Sequence, residues 1–520
     1  MDQNCDDILK IIVRNREYNV SKKFICSIVP YFDKVFSCDL FEPKSNKVEL
    51  DFDEHVFDSI LNWIHTGLFI IQMEKVISFY EASAYLMIND RLFEPCFNYF
   101  HFNFNIKHIP VVLQQVTKVS KLIDSGSIEN FICRHFLKIT HTDIFLNYPV
   151  EAVEAILKLD LMIHSEYQIF ESIMKWAEED DSREKWIPQL LNCVRWSFMD
   201  PRDMPKAMND EYIKTFTNLD SIICSNVKSY SDRTKQSFFI SVHRMDNSNL
   251  KVNVLDKDLF CLPIGDFTQD DSMAPEFVPG EHISDILFDS GREGIRIDWS
   301  KKTFRWLNFK VAGKTYYSQL IEVFVNFSDD FRAFSYYLED KDAKLPDMIS
   351  CDEFVFLESN GKYILIGKTK DEKKWFGSFY GFHRNWFKVY KDHERSFHAT
   401  VLDNVVYILT EDLEFIQFNY ETQCFNKSKP FEDKKLDFDD LIFISRQTGD
   451  DKVILVNKSS GEIHVFYINE EEWIEKYRIM NVNVGFEGAS VYADGLIAFT
   501  STFLSMKNIN PLFTQNISFN

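Results

Sequence analysis

The hydrophobic period changes once along this chain, near residue 220. Before that point, apolar residues recur mostly at three and four positions, the spacing of helices with one buried face. From Ser237 onward they come in short alternating runs separated by polar turns, the spacing of strands. One packed core cannot serve both patterns over 520 residues, so about three units are expected. Apolar residues make up 45% and charged residues 27%, which places the chain among folded proteins.

Charge and cysteine usage narrow the partners. Lys plus Arg is 58 and Asp plus Glu is 80, a net charge of −22. Such a surface repels nucleic-acid backbones and anionic lipid, and no basic run offsets it. The ten cysteines are scattered, with no C-x-x-C pair to make a zinc module. The acidic start MDQNCDDILK lacks the features of a signal peptide, and no run of about 18 apolar residues occurs. The expected location is the cytoplasm or nucleus, with free thiols.

Ile8–Val13 and Tyr18–Val20 flank a turn at 14–17 and read as a hairpin. Phe24, Ile25, Ile28, Tyr31, Phe32, Val35 and Phe36 then mark a helical face, which Pro30 divides into two short helices. Val48, Leu50 and Phe52 alternate as a strand. Val56, Phe57, Ile60, Leu61 and Ile64 form a helix that Gly67 caps, and amphipathic stretches follow at 76–85 and 92–100. This order, with V-PYFDKVF, KVELDFDEHVFDSILNWIHTG and EASAYLMINDRLFEPC, resembles a BTB (POZ) domain over residues 1–105. His65 departs from the usual aromatic before Thr66-Gly67, and Ser21 from the usual His.

In that family, the loop after the second short helix carries an apolar-x-Glu motif that a cullin-3 scaffold receives. Leu40, Phe41 and Glu42 occupy this place and are the candidate cullin-binding residues. An apolar side chain filling a partner's pocket is worth ~1.5–3 kcal/mol, and an adjacent carboxylate adds orientation. The other reading of Leu40 and Phe41 is a lid over this domain's own core. Few residues precede Asp6 and Asp7, where kelch-type relatives have an exchanging helix. That argues against the usual homodimer and leaves open a smaller dimer face on 21–36.

Residues 106–220 carry no strand signal. Val111, Val112, Val116 and Val119 with Leu122 suggest one helix, and 128–139 another. Ser165-Glu166-Tyr167-Gln168 is a capping-box pattern opening a third. The stretch ILKLDLMIHSEYQIFESIMKWAEED, with Trp176, and the L-L-x-x-V-R pattern at 190–195 resemble a BACK domain. The resemblance implies a helical spacer whose first helix pair, 108–138, adds to a cullin contact.

Residues 225–520 contain a weak repeat of alternating apolar residues, a polar turn and a bulky aromatic. Its anchor aromatics are Phe260, Trp306, Trp386, Phe425 and Trp473, with a worn copy near Leu345. The successive gaps of 46, 39, 41, 39 and 48 residues suit propeller blades. The pattern is similar to a degenerate kelch-like β-propeller, although the diagnostic Gly-Gly pair is missing from every copy. Six blades are expected, with 486–502 supplying a closing strand; a β-sandwich or fewer blades is the other reading. Loops at 265–282, 328–348, 368–385 and 430–440 are candidates for binding a substrate protein.

The expected fold class is therefore multidomain α+β: an α/β BTB domain, an all-α BACK domain and an all-β C-terminal domain. No hydrolase, zinc-protease or P-loop motif is present, so no catalytic, cofactor or metal residue is assigned and no enzyme is expected. The resemblance implies a substrate-recruiting adaptor of a cullin-3 RING ubiquitin ligase. The alternative is a BTB–BACK scaffold that binds cytoskeletal or regulatory proteins without a cullin.

Overall fold

The computed structural model describes residues 7–37, 46–215, 231–244, 250–262, 264–275, 282–288, 291–309, 354–359, 362–368, 374–380, 383–390, 397–422, 424–432, 434–445, 452–478 and 495–509. It divides into two compact units, Met1–Thr234 and Lys235–Asn520.

The first unit opens with strands β1 (Ile8–Val13), β2 (Arg16–Ser21) and β3 (Lys47–Leu50) in the order β2-β1-β3. The β1–β2 hairpin is antiparallel, with Arg14 at φ 51, and β3 lies parallel to β1. Leu9, Ile11 and Val13 alternate into the core, as a one-sided strand requires. Helices α1 (Lys22–Ile28) and α2 (Pro30–Ser37) are divided at Val29, as Pro30 dictates. Helix α3 (Glu54–Thr66) is capped at one end by Asp53, which accepts from the His55 and Val56 amides at 3.0 and 3.2 Å. Gly67 ends it in the left-handed region at φ 73. Helices α4 (Val76–Tyr85) and α5 (Glu94–Asn103) follow, joined by a π-turn at Asn89–Phe93.

The remainder of this unit is helical: α6 (Ile109–Gln115), α7 (Ser125–Ile139), α8 (Asp143–Leu146), α9 (Val150–Leu157), α10 (Tyr167–Glu178), α11 (Ile187–Leu191), α12 (Met204–Met208) and α13 (Glu211–Thr215). The helix expected across Val111–Leu122 stops at Gln115. Its last turn is tied sideways when the Gln115 amide donates to the Met73 carbonyl at 2.9 Å, and Val119 ends up 84% exposed. The capping box is shifted by one residue: Gln168 accepts from the His164 amide and Ser165 from that of Tyr167. Trp176 is buried and donates to the Tyr148 carbonyl at 2.9 Å. Among the described residues no helix is long and apolar enough to cross a membrane.

The second unit is all-β. Its strands are β4 (Lys235–Arg244), β5 (Leu250–Leu255), β6 (Cys261–Leu262), β7 (Thr268–Gln269), β8 (Ile283–Phe288), β9 (Glu293–Asp298), β10 (Thr303–Asn308), β11 (Phe354–Ser359), β12 (Lys362–Lys368), β13 (Lys374–Tyr380), β14 (His383–Tyr390), β15 (Phe397–Leu402), β16 (Val405–Thr410), β17 (Phe415–Asn419), β18 (Phe425–Ser428), β19 (Leu441–Ser445), β20 (Lys452–Asn457), β21 (Glu462–Tyr467), β22 (Glu472–Arg478) and β23 (Leu496–Ser505). They form five four-stranded sheets among the described residues, consistent with kelch-like blades. The worn copy near Leu345 lies outside those residues.

The edge strands β8, β11, β15, β19 and β23 belong to different sheets. β11 neighbours β15, β15 neighbours β19, β19 neighbours β23, and β23 neighbours β8. Hydroxyls join some of these neighbours: Thr400 to Ser445 at 2.7 Å, and Ser284 to Thr502 at 3.1 Å. Of the closing strand expected in 486–502, 486–494 lie outside the described residues; from Leu496 to Ser505, β23 pairs antiparallel with β4 and completes the first sheet. Gly495 leads into it at φ 87, where a Cβ would lie 2.3 Å from the Arg244 carbonyl oxygen.

The missing glycine pairs have a local explanation. Non-glycine residues take positive φ in the turns instead: Leu259, Lys302, Asp403, Leu413 and Glu471. Side-chain carboxylates and amides hold several of these hairpins. Asp256 accepts from the Asp258 and Phe260 amides, Asp298 from Ser300 and Lys301, and Asn419 from Glu421 and Thr422.

Candidate partner-docking surface

Leu40, Phe41 and Glu42 lie outside the described residues. The structure does define what holds the two ends of their segment. On the entering side, α2 is anchored by the buried Phe32 and by the Tyr31 amide, which donates to the Leu86 carbonyl at 3.3 Å. The Ser37 hydroxyl donates back to the Asp33 carbonyl. On the leaving side, the Asn46 carbonyl accepts from the Lys10 amide at 2.8 Å, and its side chain accepts from Lys22 at 3.2 Å. The described residues on either side of 38–45 are thus tied to the fold, the setting in which recognition loops are found.

Beside α2 lies an aromatic shelf. Tyr31 packs against Tyr85 with ring centroids 5.0 Å apart, and Phe52 meets Tyr85 edge-on at 5.3 Å. The two tyrosine hydroxyls are 3.3 Å apart. Burial and that bond to Tyr85 push the Tyr31 phenol up to about 12, so it remains neutral at physiological pH. Tyr85 is 51% exposed, and Met87 next to it is also exposed, with φ 59. Rings with one wet edge and a polar tip are typical anchors of protein interfaces. The sequence pattern assigned Tyr31 to a buried face and did not single out Tyr85, because helical period alone does not reveal which apolar residues remain uncovered.

A second set of exposed apolar side chains, Phe97, Phe102 and Val119, flanks the helices of the 108–138 region. His135 on α7 packs on Phe131 at 4.8 Å. Burial, followed by the charges of Lys138 and Arg134, holds its imidazole down at about 4, so it is neutral.

In the β unit, Trp386, Phe425 and Trp473 lie on the outermost strand of their sheets and Phe260 just before one, whereas Trp306 lies one strand further in, on β10. Trp473 on β22 faces Phe466 across the strand pair and meets Phe415, Phe431 and Phe466 at 5.1, 5.0 and 5.4 Å. Trp306 on β10 lies under the Arg244 guanidinium, 4.5 Å from the ring centre. Phe260 and Phe425 are exposed. Trp386 sits on β14, and its side chain lies outside the described residues.

The candidate loops are held more firmly than their polarity implies. The 265–282 loop is held where Arg305 donates to the Asp271 carbonyl at 2.7 Å and where Arg296 donates to that of Ala274 at 2.5 Å. Arg296 itself pairs with both oxygens of Asp285 at 2.7 and 2.8 Å. The 430–440 loop buries Phe431 and Phe438, the latter stacked on His398 at 4.4 Å. The stretch 368–385 is largely strand β13 and not a loop, because its alternating apolar residues pair with β12 and β14. The stretch 328–348 lies outside the described residues. Among the described residues no group of three or more His, Cys, Asp or Glu could hold a metal ion.

Comparison with known families fits this architecture. The BTB/POZ domain model matches residues 1–102, and the model described as BTB And C-terminal Kelch (BACK) matches residues 115–209. The chain is a BTB–BACK protein of the kelch-like type. It is 28% identical over 201 residues to Kelch-like protein 40a of Danio rerio, covering 37% of this chain and 32% of that protein. It is 24% identical over 215 residues to human Kelch-like protein 31, covering 40% and 33%. Human Kelch-like protein 17 is 22% identical over 196 residues, covering 37% and 30%. The matched part spans about a third of these relatives' length.

Proposed function

We propose that this BTB–BACK protein is a non-catalytic adaptor. Its BTB domain engages a cullin-3 scaffold, and its β-repeat unit captures a substrate protein for ubiquitination. The reading is carried by the succession of a BTB domain, a BACK domain and kelch-like sheets in one chain. It is supported by the anchored residues on either side of 38–45 and by the aromatic shelf of Tyr31, Tyr85 and Phe52 beside α2. The chemistry is proximity. Holding a substrate lysine near a charged transferase raises its effective concentration, with no catalytic group required from this chain.

The test is calorimetric titration of the full chain with the cullin-3 N-terminal domain. Leu40→Ala with Glu42→Ala is expected to weaken binding about thirtyfold, ~2 kcal/mol. Tyr85→Ala is expected to weaken it about tenfold, as loss of an exposed aromatic anchor does. Full-strength binding by the double variant removes the motif from the mechanism. No binding by the unaltered chain favours a BTB–BACK scaffold for cytoskeletal or regulatory proteins.

A further inference from the structure

The L-L-x-x-V-R pattern ends in an arginine that helix packing alone does not require. Arg195 is buried, and its guanidinium reaches the Ser231 carbonyl and Asp160, both at 2.8 Å. Arg233 makes the return connection. It is fully buried and donates Nε and Nη2 to the two oxygens of Glu166 at 2.6 and 2.7 Å. Its remaining N–H groups reach the carbonyls of Leu157, Leu159 and Cys193 at 2.7, 3.0 and 3.0 Å. All five donors of this guanidinium are therefore used. Glu166 also accepts from the Arg195 amide at 3.0 Å.

We propose that residues 231–233 are a latch that closes the helical domain. The segment lies beyond residues 115–209, where the BACK model matches. Yet it supplies the cation that neutralises a carboxylate buried at the start of α10, and it caps the carbonyl ends of α9 and α11. A buried carboxylate without its cation is strongly unfavourable, so opening the latch loosens the three helices together. The reciprocal reach of Arg195 to Ser231 and Arg233 to Glu166 fixes the segment from both sides. Lysine cannot replace Arg233, because a single ammonium cannot span a bidentate carboxylate and three carbonyls at once.

The test is hydrogen exchange on the full chain. Arg233→Lys and Glu166→Gln are each expected to lower protection of amides in α9, α10 and α11 at least tenfold, leaving β1–β3 and α3 unchanged. The double variant Glu166→Met with Arg233→Met is expected to recover more protection than either single methionine variant, because no charge is then left unpaired. Unchanged protection in α9–α11 for both Arg233→Lys and Glu166→Gln overturns the latch. Loss spread evenly over the whole first unit also overturns it, since that marks general destabilisation.

Discussion

Replacing Trp473 by alanine tests whether the repeat aromatics hold the blades together. Its ring touches three phenylalanines, Phe415, Phe431 and Phe466, at centroid distances of 5.0–5.4 Å. Truncating a large core aromatic costs ~3–5 kcal/mol, and partial exposure places Trp473 at the low end, about 3 kcal/mol. The aromatic pair terms are already inside that figure. The indole N–H complicates the account, because it is buried and finds no acceptor among the described residues. An orphaned donor of this kind costs ~1–3 kcal/mol in the native protein. Trp473→Phe removes the orphan along with part of the ring, and the two effects oppose each other. The phenylalanine variant should therefore stay within about 1 kcal/mol of the native protein. Scanning calorimetry of the full chain reads both variants. The alanine variant should lower the β unit's transition by roughly 6–12 °C, at about 2–4 °C per kcal/mol for a unit of this class. A phenylalanine variant as damaging as alanine would show that the indole N–H is engaged, and the reasoning would be wrong. Phe425→Ala, at the same repeat position but exposed, is the control and should cost under ~1 kcal/mol.

Two further outcomes follow from the same unit. His243 is buried on β4, and burial, helped by the charge of Lys251, holds its imidazole at about 4 against an ordinary value of 6.5. The unfolded chain therefore binds the proton that the folded chain refuses, and stability falls as pH drops from about 6.5 to 4, by about 3 kcal/mol in all. Denaturant titrations at pH 7 and pH 4.5 should show a smaller difference for His243→Leu than for the native protein. Gly495→Ala should destabilise closure of the first sheet by at least ~2 kcal/mol, through positive φ and the Arg244 carbonyl, with exchange in β4 and β23 rising first. No change there would mean that the chain enters β23 by another path.

Much of the architecture is encoded within a few residues of where it appears. Pro30 divides α1 from α2 because the residue before a proline avoids helical ψ. Gly67 ends α3 because its φ of 73 suits a residue without a Cβ. The closing strand expected within 486–502 is β23, which runs Leu496–Ser505, while 486–494 lie outside the described residues. The turn-plus-aromatic copies correspond to hairpins such as β17–β18 and β21–β22. These features depend on local period and backbone sterics, which a sequence displays directly.

Other features required the chain to fold before they existed. Glu166 and Arg233 are 67 positions apart, and neither has a neighbour in sequence that announces the pairing. Helix α6 stops at Gln115, whose side chain reaches the Met73 carbonyl, a contact that no periodicity predicts. The shelf of Tyr31, Phe52 and Tyr85 gathers residues from three separate stretches. The sequence by itself determined element types, their order and the change from helical to strand period, since each depends on neighbours along the chain. Only the tertiary structure decided which charges are buried together, where α6 stops and which rings stay exposed, since those depend on what distant segments cover.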